Sequence, residues 1–298
     1  MYVKNIREFV RLIRMRTIAN KIEEGLANDY SDGEIKALTR IIATELLGVS
    51  QMAFYLKEDV SLNSEQQAQL DNAIERLKKQ EPIQYILGYS DFCGLRFKVT
   101  PATLIPRPET SELVEWIAVD YDKKVVNILD IGTGSGCIAI SLAHKIPQSC
   151  VTAWDISPDA LAVATENSKA NNTEVEFAQV DILSHQPGGE EFDIIVSNPP
   201  YIKENEKSAM HSNVLDWEPH TALFVPDNDP LLFYRTIAQK GLALLKPGGI
   251  LYFEINRAHG KETVEMLSAL GYTGIELRKD FADNDRMIRA VKNKPYNV

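Results

Sequence analysis

The chain is poor in cysteine and has no pattern that would use it. It holds three in 298 residues, Cys93, Cys137 and Cys150, with no C-x-x-C pair. A disulfide framework and a structural zinc site are therefore excluded, and a reducing, cytoplasmic compartment is expected. The five histidines, His144, His185, His211, His220 and His259, lack metal-ligand and triad spacing, so no metal is expected. Long apolar runs are missing too. None approaches the ~20 residues that span a bilayer. The first residues, Met1 to Arg7, lack the apolar core of a signal peptide. Arg7, Arg11, Arg14 and Arg16 could mimic a transit segment, but Glu8 interrupts them. A surface helix with Ile6, Phe9, Val10 and Ile13 facing a core fits better. Positive charge is also short: 32 Lys and Arg against 42 Asp and Glu, a net charge of −10. Nucleic-acid affinity comes largely from cations neutralising phosphates, so direct nucleic-acid binding is not expected. An acidic chain suits a basic protein partner, because complementary charge speeds encounter. A monomer is expected.

What remains is ordinary globular composition, 44% apolar and 25% charged, with length for two domains. Residues 1–82 carry helical patterns without strand alternation. Ser31-Asp32-Gly33-Glu34 reads as a capping box, followed by Ile35, Leu38, Ile42 and Leu46 on one face and Gly48 as the stop. A second helix starts at Asn63 or Ser64, with Leu70, Ile74 and Leu77 as its stripe and Pro82 beyond its end. Residues 83–104 form a linker, in which the alternation around Gly94 suggests a hairpin. Residues 105–298 alternate strands with helices. Strands are expected at 125–131, 150–156, 175–182, 192–198, 250–255, 274–279 and 287–292, with a helix at 230–245. That progression predicts an α/β fold with a mostly parallel sheet, covered on both faces.

Two motifs carry chemistry. The run Phe192 to Ser197 ends in Asn198-Pro199-Pro200-Tyr201. Two prolines end the ladder and leave carbonyls free to face a cleft. The Asn198 amide oxygen and the flat Tyr201 ring suit a planar, uncharged NH2 group. Upstream, the strand through Asp130 runs into Gly132-Thr133-Gly134-Ser135-Gly136 and then a helix from Cys137. Strand, glycine turn, helix is the nucleotide-cofactor layout of open α/β sheets. Cys137 stands where a dinucleotide motif has its last glycine, and no P-loop pattern is present. The turn therefore fits a nucleoside with an amino-acid tail better than a pyrophosphate. Asp155, about 20 residues on, is placed to accept from ribose hydroxyls, while Ser157 and Pro158 begin the next helix.

With Pro82 to Gly88, Leu104 to Thr110, Glu218-Pro219 and Leu245 to Gly249, these motifs resemble the release-factor glutamine methyltransferases, S-adenosylmethionine-dependent enzymes of the PrmC/HemK type. The resemblance runs from about Ile83 to the C-terminus. Ser111, Asn256, His259, Asp227 to Pro230 and Asp283-Asn284 depart from it. It implies a Rossmann-like seven-stranded methyltransferase sheet, and the helical patterns of residues 1–82 read as an N-terminal helical-bundle domain whose role is substrate-factor recognition or, more plainly, stabilisation. The implied reaction methylates the side-chain N5 of the glutamine in the Gly-Gly-Gln motif of class I peptide chain release factors. S-adenosyl-L-homocysteine would be the product. Asn198, Pro199, Pro200 and Tyr201 would be the catalytic and substrate-binding residues, with Asn198 also beside the cofactor. Gly132, Thr133, Gly134, Ser135 and Gly136 would pass the methionine end, and Asp155 would hold the ribose. Asp181 and Ile182 would flank the adenine, and Arg107, Glu109 and Thr110 would close the cofactor side. Rival acceptors are the exocyclic amine of DNA adenine or cytosine, RNA, or a ribosomal protein. A scaffold without activity is a further rival, opposed by the intact motifs.

Overall fold

The computed structural model describes residues 15–58, 60–121, 125–189 and 191–294. The helix expected through Ile6, Phe9, Val10 and Ile13 lies outside the described residues. The chain divides into two units, Met1–Leu87 and Gly88–Val298.

Among the described residues, the helices of the first unit are α1 (Met15–Leu26), α2 (Asp32–Ile41), α3 (Gln51–Leu56), α4 (Ser64–Lys78) and α5 (Ile83–Leu87). Polar side chains cap the starts of α2, α3 and α4. The Ser31 hydroxyl accepts from the Glu34 amide, and the Glu34 carboxylate accepts from the Ser31 amide. Asn63 and Gln66 repeat the arrangement ahead of α4. Each such cap stabilises its helix by about 1 kcal/mol. Ile18, Ile22, Leu38, Ile42, Leu70 and Leu77 meet in one core. Each of these buried aliphatic side chains contributes about 2 kcal/mol relative to exposure. α2 does not stop at Gly48 directly. It first widens into a π turn, Ile42–Leu46, whose last turn precedes Gly48 at φ 69°.

The second unit opens with the expected hairpin, β1 (Tyr89–Phe92) and β2 (Leu95–Lys98). Cys93 and Gly94 turn it with φ of 50° and 79°. Positive φ at both central residues is the type I′ geometry that matches strand twist. There follow α6 (Pro108–Asp120), β3 (Val126–Ile131), α7 (Cys137–Lys145), β4 (Ser149–Asp155), α8 (Pro158–Ala170), β5 (Val175–Gln179) and β6 (Phe192–Ser197). A small parallel pair, β7 (Ile202–Lys203) with β8 (Phe224–Val225), flanks the helix α9 (Ser212–Leu215). The chain then runs through α10 (Leu232–Leu244), β9 (Leu245–Glu254), α11 (Gly260–Ala269), β10 (Thr273–Lys279) and β11 (Asp285–Val291).

Seven strands form one sheet in the order β10-β11-β9-β6-β3-β4-β5. The five from β9 to β5 run parallel, and β11 runs antiparallel to its neighbours β9 and β10. Both faces are covered, and successive residues alternate between two cores. Ile128, Ile194 and Tyr252 join the cluster with Leu113, Ile117 and Leu142. Their neighbours Leu129, Ile195 and Phe253 join the one with Tyr234, Ile237 and Leu267. A strand buried on both faces must be apolar throughout, which is why these segments lack polar alternation. Among the described residues, no helix is long and apolar enough to cross a membrane.

Boundaries differ from expectation in two places. The expected helix 230–245 is the shorter α10, and β9 starts five residues earlier than 250, at Leu245. The Pro247-Gly248-Gly249 segment lies inside that strand, where the ladder shifts register between Phe192 and Ile194. From β3 the chain moves outward through β4 and β5, then returns to β6 on the other side of β3. The carboxyl ends of β3 and β6 thus flank a switch point, where open α/β sheets bind ligands.

Candidate active site

Gly132, Gly134 and Gly136 all have positive φ, of 75°, 56° and 81°. Only glycine adopts this routinely, so the turn after β3 is tight by sequence. The amides of Gly132 and Thr133 donate to the Trp154 carbonyl at 2.8 and 3.0 Å. The turn is thereby fastened to the end of β4. A Cβ on Gly136 would stand 2.8 Å from Ile140 Cδ1 and 3.1 Å from Ala164 Cβ. Gly136 therefore serves helix packing, beside the turn proper.

Two carboxylates hold the turn. Asp130 is fully buried. Its Oδ2 accepts from the Thr133 hydroxyl at 2.7 Å and the Ala139 amide at 3.2 Å. Its Oδ1 is buried without a partner. Burial pushes the Asp130 carboxyl up to about 7, against the hydrogen bonds from Thr133 and Ala139. Asp155 Oδ2 accepts from the Gly134 amide at 2.8 Å, and Oδ1 from the Ser157 amide at 2.9 Å. Burial raises its pKa, and these backbone donors oppose the shift. Buried Asn167 ties the turn to the hairpin, donating to the Ser135 carbonyl at 2.8 Å while its Oδ1 accepts from the Lys98 amide at 2.7 Å.

A cavity of about 320 Å³ opens beside the turn. Gly132, Gly134, Asp155, Asp181, Ile182, Asn198, Pro199 and Pro200 line it, with Phe233 and Ile237. Thr133 and Ser135 are buried and do not line it. A second cavity of about 280 Å³ is lined by Arg107, Asn198, Tyr201, Met210, His211 and Val214, among others. Leu104, Asn198 and Ala222 line both. Arg107 lines the second cavity and not the first, while Asp155 lines the first and not the second. Glu109 and Thr110 line neither of these two cavities.

The segment after β6 is held on several sides. The Ser197 hydroxyl donates to the Ile131 carbonyl at 2.6 Å, fixing the end of β6 to β3. The amides of Tyr201 and Ile202 donate to the Leu223 carbonyl at 3.2 and 2.9 Å. Asn256, one of the departures, donates from its side chain to the Tyr201 carbonyl at 3.3 Å. Burial pushes the Tyr201 hydroxyl well above the usual phenol range. Asn198 Nδ2 donates to the Thr110 hydroxyl at 3.4 Å, and that hydroxyl donates to Glu254 at 2.5 Å. Glu254 is buried, and burial pushes its carboxyl up to about 7.

Three acidic or amide groups here were not singled out from the sequence: Asp130, Asn167 and Glu254. One signal could have found two of them. Asp130 and Glu254 lie at the carboxyl ends of apolar strands, as Asp155 does.

Residues 110–216 match the family Methyltransferase small domain, and residues 20–88 match the PrmC N-terminal domain. The release factor glutamine methyltransferase of Bacteroides thetaiotaomicron is 49% identical over 277 residues, covering 93% of this chain and 99% of that one. The release factor glutamine methyltransferase of Streptococcus pneumoniae is 40% identical over 243 residues, covering 81% and 86%. A solved structure, the protein-(glutamine-N5) methyltransferase (release factor-specific) of Alicyclobacillus acidocaldarius, is 27% identical with a TM-score of 0.42, covering 67% of this chain and 100% of that chain. By its identity to these relatives over nearly its whole length, the chain belongs to the release factor glutamine methyltransferase family.

Proposed function

We propose that this protein methylates the side-chain N5 of the glutamine in the Gly-Gly-Gln loop of a class I peptide chain release factor, with S-adenosyl-L-methionine as donor. The observation that carries this reading is the position of Asn198, which lines two cavities at once. Leu104 and Ala222 share that wall but are apolar, so Asn198 is the polar side chain between a donor cavity and an acceptor cavity.

The first cavity fits the donor. Its size lies at the lower end of small-molecule sites. Apolar walls from Ile182, Phe233 and Ile237 suit a purine, and the Asp155 carboxylate keeps lone pairs for ribose hydroxyls. Gly132 and Gly134 leave the backbone open to close approach. The bound sulfonium supplies an electrophilic methyl group. S-adenosyl-L-homocysteine is the product.

The protein's task is to prepare a poor nucleophile. An amide nitrogen is planar, and its lone pair is delocalised into the carbonyl. Asn198 Oδ1 and the Pro199 carbonyl accept the two N–H bonds of the substrate amide and aim its nitrogen across the shared wall. As that nitrogen becomes positive, both acceptors bind it more strongly, which stabilises the transition state selectively. Tyr201 stacks on the planar amide, and Pro200 fixes the turn. Asn cannot act as a base, and none is needed before attack, because the proton leaves after transfer. Arg107 belongs to the acceptor side, together with Met210 and His211. The first unit recognises the body of the factor, and the net charge of −10 favours a basic partner. An activity on release factors fits a cytoplasmic protein.

The test is methyl transfer from labelled donor to a purified release factor, followed by single-turnover kinetics of Asn198→Ala. The variant should lose transfer and keep donor binding. Tyr201→Phe should be milder, since stacking needs the ring and not the hydroxyl. Near wild-type turnover in Asn198→Ala would sink the role assigned to it.

A further inference from the structure

Behind Asn198 runs a hydrogen-bond chain that the reaction above leaves unused. Thr110, in the first turn of α6, and Glu254, at the end of β9, are each 2% exposed. The Thr110 hydroxyl lies 2.5 Å from Glu254 Oε2, and Asn198 Nδ2 lies 3.4 Å from Thr110 Oγ1.

A side-chain amide has two ends of nearly equal shape and opposite polarity. Asn198 helps a substrate NH2 only if its oxygen faces the cleft. Turned over, it would present NH2 to NH2. Shape alone does not choose between these states. The chain behind it does. An ionised carboxylate only accepts, so the single Thr110 proton must point at Glu254. Thr110 Oγ1 then offers Asn198 nothing but lone pairs. Only Nδ2 can meet them, and Oδ1 is left for the cleft.

We infer that Thr110 and Glu254 are positioning residues that hold the Asn198 amide with its oxygen towards the substrate. The inference rests on the reaction proposed above. It explains why a carboxylate is kept at a buried position. A hydroxyl or amide in place of Glu254 could donate as well as accept, and direction would be lost. Protonation of Glu254 has the same effect. Burial is the main influence on this carboxyl, pushing it up to about 7; the hydrogen bond from Thr110 and the cations Arg286 and Arg107 oppose it, and Glu109 reinforces it. The hydroxyls of Tyr201 and Tyr234 and the Cys137 thiol also lie within its electrostatic reach, all uncharged at neutral pH. The sign is therefore fixed. Turnover is full above about pH 7, where Glu254 is ionised, and falls below it.

The experiment uses full-length protein, a purified release factor and labelled donor. Donor affinity is read by calorimetry. For wild type and three variants, kcat and KM are read from about pH 5.5 to about pH 9. Thr110→Val keeps the shape and removes the hydroxyl. It should lower kcat about tenfold, equivalent to about 1.4 kcal/mol, with KM and donor affinity unchanged. Thr110→Ser should restore most of that loss. Glu254→Gln should lower kcat and remove the acid limb of the profile. The inference is overturned if Thr110→Val keeps its kcat, or if Thr110→Ser is as impaired as Thr110→Val. A parallel loss of donor affinity and kcat also overturns it, because that would mark a merely structural role. So does an acid limb that persists in Glu254→Gln. An inactive wild type on release factor would instead sink the proposed reaction, which keeps the two failures distinct.

Discussion

Glu218 Oε1 lies 2.5 Å from the Arg107 guanidinium, 111 residues away in the chain, and its Oε2 accepts from the Ile105 amide at 3.1 Å. The Glu218 side chain is 1% exposed and that of Arg107 31%. One buried carboxylate therefore pins the segment that brings Leu104 and Arg107 to the second cavity. From the sequence, Glu218-Pro219 fits the mouth of a substrate cleft and the start of a helix equally well. Glu218→Ala should leave an unpaired cation and an orphaned amide. The expected loss is on the order of 2–3 kcal/mol. Urea unfolding followed by tryptophan fluorescence reads this cleanly, because Trp116, Trp154 and Trp217 all lie in the second unit. The exposed pair Lys98–Glu166 is the control. Glu166→Ala should cost less than about 1 kcal/mol, and equal losses at both sites would remove the anchoring role.

Asp155 does two jobs in the proposed donor site. It holds the Gly134 and Ser157 amides, and it faces the first cavity. Asp155→Ala should weaken S-adenosylmethionine binding by about 1.5–3 kcal/mol, the worth of a hydrogen bond to a charged group. Asp155→Asn keeps an oxygen for one of these partners and should lose less. Calorimetry with unchanged affinity in a folded Asp155→Ala would take Asp155 out of the site.

Much of the fold was legible because it rests on local chemistry. The box at Ser31/Glu34, the helix start at Asn63, the Ser157-Pro158 start of α8 and the apolar runs of β3, β6 and β9 are all nearest-neighbour signals. The cluster of motifs at strand ends was legible for the same reason, since a parallel sheet collects those ends. Three kinds of feature were not. The π turn at Ile42–Leu46 depends on packing, and no residue type announces it. The pairing of β7 with β8 joins two-residue strands too short to carry a period. The partners of Thr110 and Glu218 lie 144 and 111 residues distant, and a single sequence does not encode which buried acid meets which donor. The pairings of Arg107 with Glu218 and of Thr110 with Glu254 are therefore read from the fold and not from the sequence.

Asp130 gives the second unit a pH-dependent stability of defined sign. Its carboxyl is raised from 3.8 to about 7 by burial. Between those values the folded state binds a proton that the unfolded state has released. Its contribution to stability is complete below about pH 4, is lost as pH rises towards about 7, and is constant above that. Other groups titrate in the same range, so the useful quantity is the difference between wild type and Asp130→Asn. That difference should move against the wild type from about pH 4 to about pH 7 and then level off. Urea unfolding at several pH values measures it. A difference that is flat or rises with pH would mean that Asp130 is ionised throughout.

The first unit is proposed to recognise the release factor. It carries helices, caps and a core of its own, and the chain divides at Leu87–Gly88. The groups proposed for the reaction all lie in the second unit. A glutamine between glycines enters a narrow cleft with little steric cost. Such a loop alone binds weakly, because a small contact scarcely offsets the entropy of association. A second contact with the factor would supply affinity and orientation without touching the chemistry. Removing residues 1–87 should therefore raise KM for a whole release factor by at least tenfold, or about 1.4 kcal/mol. The same truncation should leave KM and kcat for a Gly-Gly-Gln peptide nearly unchanged. Donor affinity, measured on the truncated protein, reports whether the second unit is still folded. Equal losses on factor and peptide, with donor binding intact, would show that the first unit only stabilises the enzyme.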